Sequence, residues 1–117
     1  MGAPIKPTIE FDDFAKLDIR VGRIEKVEDV PGSKKLVALT VDFGDFKRQI
    51  LSSLYEDREN PKEVEGKQTL FVVNLAPRKM AGMVSEGMLC DVGFDDGLRP
   101  TAFMIPDRET PNGSRMG

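Results

Sequence analysis

The sequence contains no histidine and no tryptophan, and it has a single cysteine, Cys90. Without histidine the chain cannot build serine–histidine or cysteine–histidine nucleophile pairs, imidazole metal sites or histidine proton shuttles. One cysteine forms neither an internal disulfide nor a cysteine-rich zinc site. These absences exclude much of the chemistry that small enzymes use.

Glycine-rich phosphate motifs are also absent, because neither a Gly-x-x-x-x-Gly-Lys-Ser/Thr loop nor a Gly-x-Gly-x-x-Gly sequence follows a strand-like run. Adjacent acids occur at Asp12–Asp13, Glu28–Asp29 and Asp95–Asp96. Neighbouring acids in a turn usually point apart into water, which disfavours a catalytic or metal-binding pair. We therefore predict no cofactor, no metal and no enzymatic activity, and an enzyme of small-molecule metabolism is the least favoured class.

The length of 117 residues is enough for one domain with a modest core. The composition, 39% hydrophobic and 32% charged, is typical of a soluble domain. No apolar run approaches the roughly 20 residues of a membrane span, and the first residues lack the apolar stretch of a secretory signal. We predict a cytoplasmic protein without membrane contact.

Alternating apolar residues predict a series of strands. Ile19 and Val21 alternate with polar residues, and the phase then slips at Gly22, which predicts a bulge or bend there. Residues 30–33, Val-Pro-Gly-Ser, predict a type II turn. The next three strands are predicted at residues 37–43, 46–51 and 70–73.

The strand pattern is interrupted at residues 53–66, which we predict to form two short helical turns. Ser53 with Glu56 fits a capping box, and Asn60 precedes Pro61 at the first position of a second turn. Apolar residues then recur at alternate positions from Met88 to Phe94, which predicts a half-buried fifth strand with Met88, Cys90, Val92 and Phe94 on one face.

This order of elements predicts a mainly β fold. Three strands, a short helical segment and two further strands fit a five-stranded OB-fold barrel of Greek-key type, with the helix between strands three and four. An SH3-like or other small barrel is the alternative. The apolar segment 103–105 lies beyond the fifth strand and needs burial, either in a dimer interface or against its own barrel.

The segment between strands four and five carries the cations Arg78 and Lys79. A cationic loop held by a rigid sheet is suited to binding an anion, and Pro77 restricts the direction of the loop. Arg78 and Lys79 are therefore the first choice for phosphate contacts, with simple solubilising charge as the alternative.

In an OB barrel the loops joining strands one to two and four to five flank the nucleic-acid face. This geometry brings cations of neighbouring segments toward Arg78 and Lys79. These cations are Lys34, Lys35, Lys47 and Arg48. The net charge of -3 therefore conceals a basic face, because the acids concentrate in residues 53–66.

Four segments resemble the family of tRNA-binding OB domains, which comprises the C-terminal domain of methionyl-tRNA synthetases, free-standing tRNA-binding proteins and the secretion chaperone CsaA. The segments are residues 12–21 (DDFAKLDIRV), 32–36 (GSKKL), 74–80 (NLAPRKM) and 85–88 (SEGM). The resemblance covers nearly the whole chain. Residues 1–10 are accordingly predicted as an N-terminal extension, and residues 11–117 as the domain, including a C-terminal dimerisation segment.

The resemblance implies a non-catalytic protein that binds tRNA by its shape, mainly at the outer corner, and that is a homodimer when it stands alone. Such a protein acts in trans, or as a subunit or appendage of methionyl-tRNA synthetase. The alternative is a CsaA-like chaperone that binds unfolded preproteins for secretion. Residues 111–117 are similar to the CsaA branch, whereas residues 74–80 are closer to the synthetase-appended form, so both functions remain open.

The resemblance also implies RNA-binding roles for Ser85, Glu86 and Met88. Glu86 would accept hydrogen bonds from base amines or ribose hydroxyls, or orient the neighbouring cations, with turn capping as the alternative. Asn74 fits either an RNA contact or a structural bond to the loop backbone. The methionines of the segment fit either core filling or a soft apolar patch for bases or unfolded peptide.

Overall fold

The computed structural model describes residues 2–117 of the chain, apart from the side chain of Asp57. Nine strands are present in the described part. They are β1 (Ile19–Asp29), β2 (Val37–Asp42), β3 (Lys47–Ser52), β4 (Gln68–Val72), β5 (Arg78–Met80), β6 (Met83–Ser85), β7 (Met88–Leu89), β8 (Asp91–Val92) and β9 (Ala102–Phe103). The helical elements are α1 (Phe11–Phe14), α2 (Leu54–Asp57) and a 3₁₀ helix (Pro61–Val64).

Five antiparallel strands form a nearly closed barrel in the order β3-β2-β1-β4-β7. The strands β5 and β6 form a separate hairpin, and β8 pairs with β9. The prediction of a mainly β, five-stranded OB-fold barrel with a short helical segment between the third and fourth strands is confirmed.

Strand β1 is long enough to pair with two neighbouring strands of the barrel. It pairs with β4 from Ile19 to Arg23 and with β2 toward its other end, and the register with β2 shifts between Ile24 and Lys26. The bulge therefore lies at Glu25, so the bulge predicted at Gly22 was wrong, whereas the alternative of a bend at Gly22 stays a prediction. Gly22 has a different reason to be glycine, because a Cβ atom there would lie 2.5 Å from Val41 Cγ1 and clash.

The barrel interior is filled by aliphatic residues around two aromatic rings. Phe43 and Phe71 are buried and meet edge to face, with their ring centroids 5.5 Å apart. A second, smaller cluster of Val30, Ala38 and Leu51 lies near the turn between β1 and β2. In that turn Ser33 N donates to Val30 O at 3.1 Å and Gly32 has φ 79°, which confirms the type II prediction.

The two helical turns predicted at residues 53–66 are confirmed as α2 and the 3₁₀ helix. Their predicted caps are wrong, since neither Ser53 nor Asn60 makes a side-chain cap hydrogen bond. Glu56 instead forms an ion pair with Lys35, Nζ to Oε1 3.4 Å. Pro61 does occupy the first helical position, where a missing N–H costs nothing.

The fifth strand is broken at Cys90. Its first half, β7, pairs with β4, and its second half, β8, turns away to pair with β9. Leu89 is the buried residue, whereas Met88, Val92 and Phe94 are exposed. The prediction that these three residues share a buried face was wrong, because alternation identifies two faces without saying which of them meets the core.

The C-terminal segment runs along the free edge of β1. Gly113 N donates to Val21 O at 2.7 Å, Val21 N to Ser114 O at 2.9 Å, and Met116 N to Ile19 O at 2.8 Å. Phe103 folds back against the barrel core. Met104 and Ile105 remain exposed, at 39% and 59%. Within residues 2–117, no helix is long and apolar enough to cross a membrane.

Candidate functional site

The connection between β4 and the fifth barrel strand is a hairpin arm rather than a loop. β5 and β6 pair from Arg78–Ser85 to Met80–Met83, and the turn places Ala81 at φ 50° and Gly82 at φ 79°. Two consecutive residues with positive φ are typical of the tight turns that match the twist of a hairpin. The candidate cations are thus fixed on a strand.

The base of this hairpin is packed onto the barrel. Met80 and Met83 contact the cluster of Val30, Ala38 and Leu51 from the outside, and Leu36 packs against the same cluster. These two methionines therefore cover the smaller core cluster, which favours the core-packing alternative for them. Because Leu36 belongs to the β1–β2 connection, the packing brings that connection and its Lys34 to the same end of the barrel as the β5–β6 hairpin.

Arg78 and Lys79 are exposed, and neither forms an ion pair with the part of the chain that the structure describes. Neighbouring residues of a strand point to opposite faces. Arg78 pairs with the buried Ser85 and lines a groove of the barrel, whereas Lys79 pairs with the exposed Val84. The hairpin therefore presents one cation on each of its faces.

Ser85 and Glu86 close the barrel against β3. Ser85 Oγ accepts from Leu51 N at 3.0 Å and donates to Gly87 O at 3.1 Å. Glu86 Oε1 accepts from Gln49 N at 3.0 Å, and Glu86 N donates to Gln49 O at 2.8 Å. We call these bonds between β3 and residues 85–86 the barrel seam. They satisfy backbone groups that no regular ladder pairs at this junction.

Arg48 and Asn74 hold backbone segments in a similar way. Arg48 Nη1 donates to the carbonyls of Val73 and Glu86, at 3.2 and 3.1 Å, and its guanidinium lies 5.0 Å from the Phe46 ring centroid. Asn74 Oδ1 accepts from Asp18 N at 2.8 Å, and Asn74 Nδ2 donates to the Lys16 carbonyl at 2.6 Å. Their RNA contacts remain a prediction.

The remaining predicted cations differ in how far their charge is neutralised. Lys35 pairs with Glu56, and Lys47 Nζ lies 2.9 Å from Glu25 Oε1, an interaction that raises the pKa of Lys47. Lys34 is exposed and has no acidic partner among the described residues. Lys34, Arg78 and Lys79 are thus the predicted cations whose charge is free to meet an anion.

A groove of about 850 Å³ runs beside the hairpin. Its apolar lining includes Met88, which is 49% exposed, together with Leu75 and Phe94. Arg78 and three aspartates also line it, namely Asp91, Asp95 and Asp96. Sequence reasoning placed Met88 in the site and missed Leu75 and Phe94, although the alternation that contains Phe94 was visible.

Comparison with known proteins places residues 19–115 in a match to the family model described as "Putative tRNA binding domain". The chain is 44% identical over 113 residues to the methionine–tRNA ligases of Bacteroides fragilis and Parabacteroides distasonis. The aligned region covers 97% of this chain and 16% of each ligase, so the chain spans about one sixth of the length of these relatives.

Two solved structures share the fold over their whole length. The MetRS-related protein from Pyrococcus horikoshii superposes with a TM-score of 0.85 at 35% identity, covering 96% of this chain and 100% of that one. The chaperone CsaA from Bacillus anthracis gives a TM-score of 0.78 at 28% identity, covering 95% and 100%. The family resemblance drawn from the four sequence motifs is confirmed.

Proposed function

We propose, because the chain belongs to the tRNA-binding domain family, that it binds folded tRNA and has no catalytic activity of its own. The observation that carries the proposal is the β5–β6 hairpin, whose Arg78 and Lys79 are exposed above a packed base and have no acidic partner among the described side chains. A rigid element that presents free cations on two faces suits contact with the closely spaced phosphates of a folded RNA. Lys34 adds a third free cation at the same end of the barrel.

The other predicted residues receive supporting roles in this proposal. Ser85, Glu86, Arg48 and Asn74 use their polar atoms on the backbone, and we propose that they fix the hairpin and the end of β4 relative to the barrel. Lys35 and Lys47 contribute less to RNA binding, because Glu56 and Glu25 neutralise them. Met88 contributes apolar surface beside Arg78.

We also propose that residues 11–117 act as one domain, in the cytoplasm, either in trans or as part of or partner to a methionyl-tRNA synthetase. The ligase relatives support the synthetase connection, since their matching region is one sixth of a longer chain. We propose a homodimer, supported by the exposed Met104 and Ile105 beside a groove that Val21 and Leu70 also line. Light scattering that gives a monomer at micromolar concentration would contradict the dimer.

The test of the main proposal is a titration with unfractionated tRNA, followed by fluorescence anisotropy at several salt concentrations. Release of counterions from the phosphates should make the affinity fall steeply as salt rises. A duplex RNA of equal length serves as competitor and should displace the tRNA poorly. Absence of binding at low salt would overturn the proposal.

The second candidate function is that of a chaperone for unfolded preproteins. The apolar part of the groove beside the hairpin, formed by Leu75, Met88 and Phe94, supports it, because exposed apolar side chains gathered in one groove can bind unfolded chain. This function predicts tight binding of apolar peptides with little salt dependence. The same anisotropy assay, run with a labelled apolar peptide, separates the two functions.

A further inference from the structure

Phe94, in the loop after β8, is an exposed aromatic residue whose ring contacts a neighbouring arginine. It is 41% exposed and lines the groove beside the hairpin. The guanidinium carbon of Arg99 lies 4.2 Å from the ring centroid, and Arg99 Nη1 donates to the Phe94 carbonyl at 3.3 Å and to the Leu98 carbonyl at 2.7 Å. The cation thus supports the ring and restricts its rotation.

The backbone of the loop is closed by its own hydrogen bonds. Asp96 N and Leu98 N both donate to Gly93 O, at 3.1 and 2.9 Å, and Gly97 N donates to Phe94 O at 3.1 Å. The Leu98 side chain lies against Gly93, where a Cβ atom would be only 2.6 Å from it. A ring on a loop restricted in this way loses less conformational freedom when a ligand binds than a ring on an open loop would.

We infer that the groove receives one unpaired base of the RNA, which stacks on Phe94 while an adjoining phosphate contacts Arg78. This inference rests on the tRNA binding proposed above and adds the part of the RNA that enters the groove. Aromatic platforms next to a cation are the usual means of binding unstacked bases, since every base has a π face. The groove volume of about 850 Å³ lies in the range of sites that enclose a small ligand.

The aspartates of the groove restrict what it accepts. Asp91, Asp95 and Asp96 line it as well, and their carboxylates repel phosphate but accept hydrogen bonds from the N–H groups of a base. One inserted base therefore fits better than a continuous strand. Guanine, with an amino group and a ring N–H next to each other, fits better than uracil, which adds two carbonyl oxygens.

The first test observes the methyl group of Met88 by NMR while a short single-stranded RNA is added. A base stacked on Phe94 should shift this methyl resonance, since Met88 lines the same groove. The methyls of Met104 and Met116, which line a different groove, serve as internal controls and should stay in place. A single guanine in a uridine strand should produce the shift at lower RNA concentration than uridine alone. An unchanged Met88 resonance at saturating tRNA would overturn the inference.

The second test compares Phe94→Leu with Phe11→Leu, which changes an exposed phenylalanine outside the groove. Loss of the stacking face should weaken binding of the guanine-containing RNA at least about fivefold in Phe94→Leu and leave Phe11→Leu at the wild-type affinity.

If Phe94→Leu binds tRNA as well as the wild type while loss of Arg78 and Lys79 abolishes binding, this inference fails and the proposed function stands. If the wild type binds no tRNA, both fail. An apolar peptide that shifts Met88 and binds Phe94→Leu unchanged would assign the groove to unfolded protein.

Discussion

The first strand of the hairpin, β5, and the barrel seam at the end of the hairpin use their polar residues in opposite ways. At the seam, Ser85 and Glu86 direct every observed side-chain bond at protein backbone, and Ser85 is 4% exposed. On β5, Arg78 and Lys79 are exposed, with no acidic partner in the described chain. The residues whose polar groups are hydrogen-bonded give the site its shape. The cations without a partner in the described chain are available to bind an anion.

A sequence motif does not distinguish residues that stabilise the fold from residues that bind the ligand, whereas this contrast does. The motif residues 85–88 and the cations of residues 74–80 both mark the family, yet their side chains do different work in the fold. We expect substitutions at the seam to lower stability, and substitutions of the free cations to lower affinity for RNA. Measuring stability and affinity separately for each kind of substitution shows whether the two effects are independent.

Ser85→Ala should give the largest change in stability. The substitution removes the acceptor of the buried Leu51 N–H, and an unsatisfied buried donor costs about 1–3 kcal/mol of unfolding free energy. Urea denaturation of the variant and the wild type measures this difference. Ser53→Ala is the matched control, since Ser53 makes no cap hydrogen bond, and it should change stability by less than about 0.5 kcal/mol. A stable Ser85→Ala protein with weakened RNA binding would reverse the roles assigned to the two ends.

The double variant Arg78→Ala/Lys79→Ala should show the opposite result. We expect its affinity for tRNA to fall by at least about 1 kcal/mol, or fivefold, and the slope of affinity against salt to flatten. Its unfolding free energy should stay within about 0.5 kcal/mol of the wild type, because neither side chain loses an ion pair with the described part of the chain.

The control for this pair is Lys62→Ala/Lys67→Ala, which changes the net charge equally at two exposed lysines outside the hairpin. A loss of affinity as large in the control would mean that overall charge, and not the hairpin, governs binding. Unchanged tRNA binding by the folded Arg78→Ala/Lys79→Ala protein would refute the phosphate contacts themselves.

Sequence patterns predicted the local parts of the fold. The alternation at residues 37–43 and 46–51 corresponds to β2 and β3, and the Pro-Gly turn at residues 30–33 forms as expected. These features depend on neighbouring residues alone, through side-chain period and backbone preference. The family motifs then supplied the order of strands, which local patterns do not determine.

Long-range contacts account for what the sequence did not predict. Ser85 bonds to Leu51, and Glu86 bonds to Gln49, across more than 30 intervening positions. Nothing near Ser85 in the sequence distinguishes a seam residue from an RNA ligand. The prediction of which face of the fifth strand is buried failed for a similar reason. The strand changes its pairing partner at Cys90, and the new partner, β9, lies beyond a further loop.

A smaller effect should follow from releasing Lys35 from its acidic partner. Glu56→Gln removes the ion pair and leaves a free cation in the β1–β2 connection, near Lys34. We expect the affinity for tRNA to rise by about twofold, with stability nearly unchanged because exposed ion pairs contribute little. Glu59→Gln is the matched control, since it removes one exposed acid of the β3–β4 connection, which also holds Glu56. An equal gain in both variants would show that general repulsion, and not Lys35, limits binding.

The smallest expected effect is a loss of stability in acid at Asp18. Arg20 hydrogen-bonds this carboxylate at 2.9 and 3.0 Å and lowers its pKa, while burial acts in the opposite direction. Because the folded pKa lies below the unfolded one, the stabilisation is complete above about pH 5 and is lost as the pH falls through the lowered value. Urea denaturation between about pH 5 and 2 should therefore show a steeper decline of the unfolding free energy for the wild type than for Asp18→Asn.

Asp12→Asn is the control, because Asp12 has no such arginine partner among the described residues. Parallel curves for the wild type and Asp18→Asn would mean that Arg20 binds Asp18 no better in the folded chain than in the unfolded one, and that the N-terminal end of β1 depends on Asn74 instead.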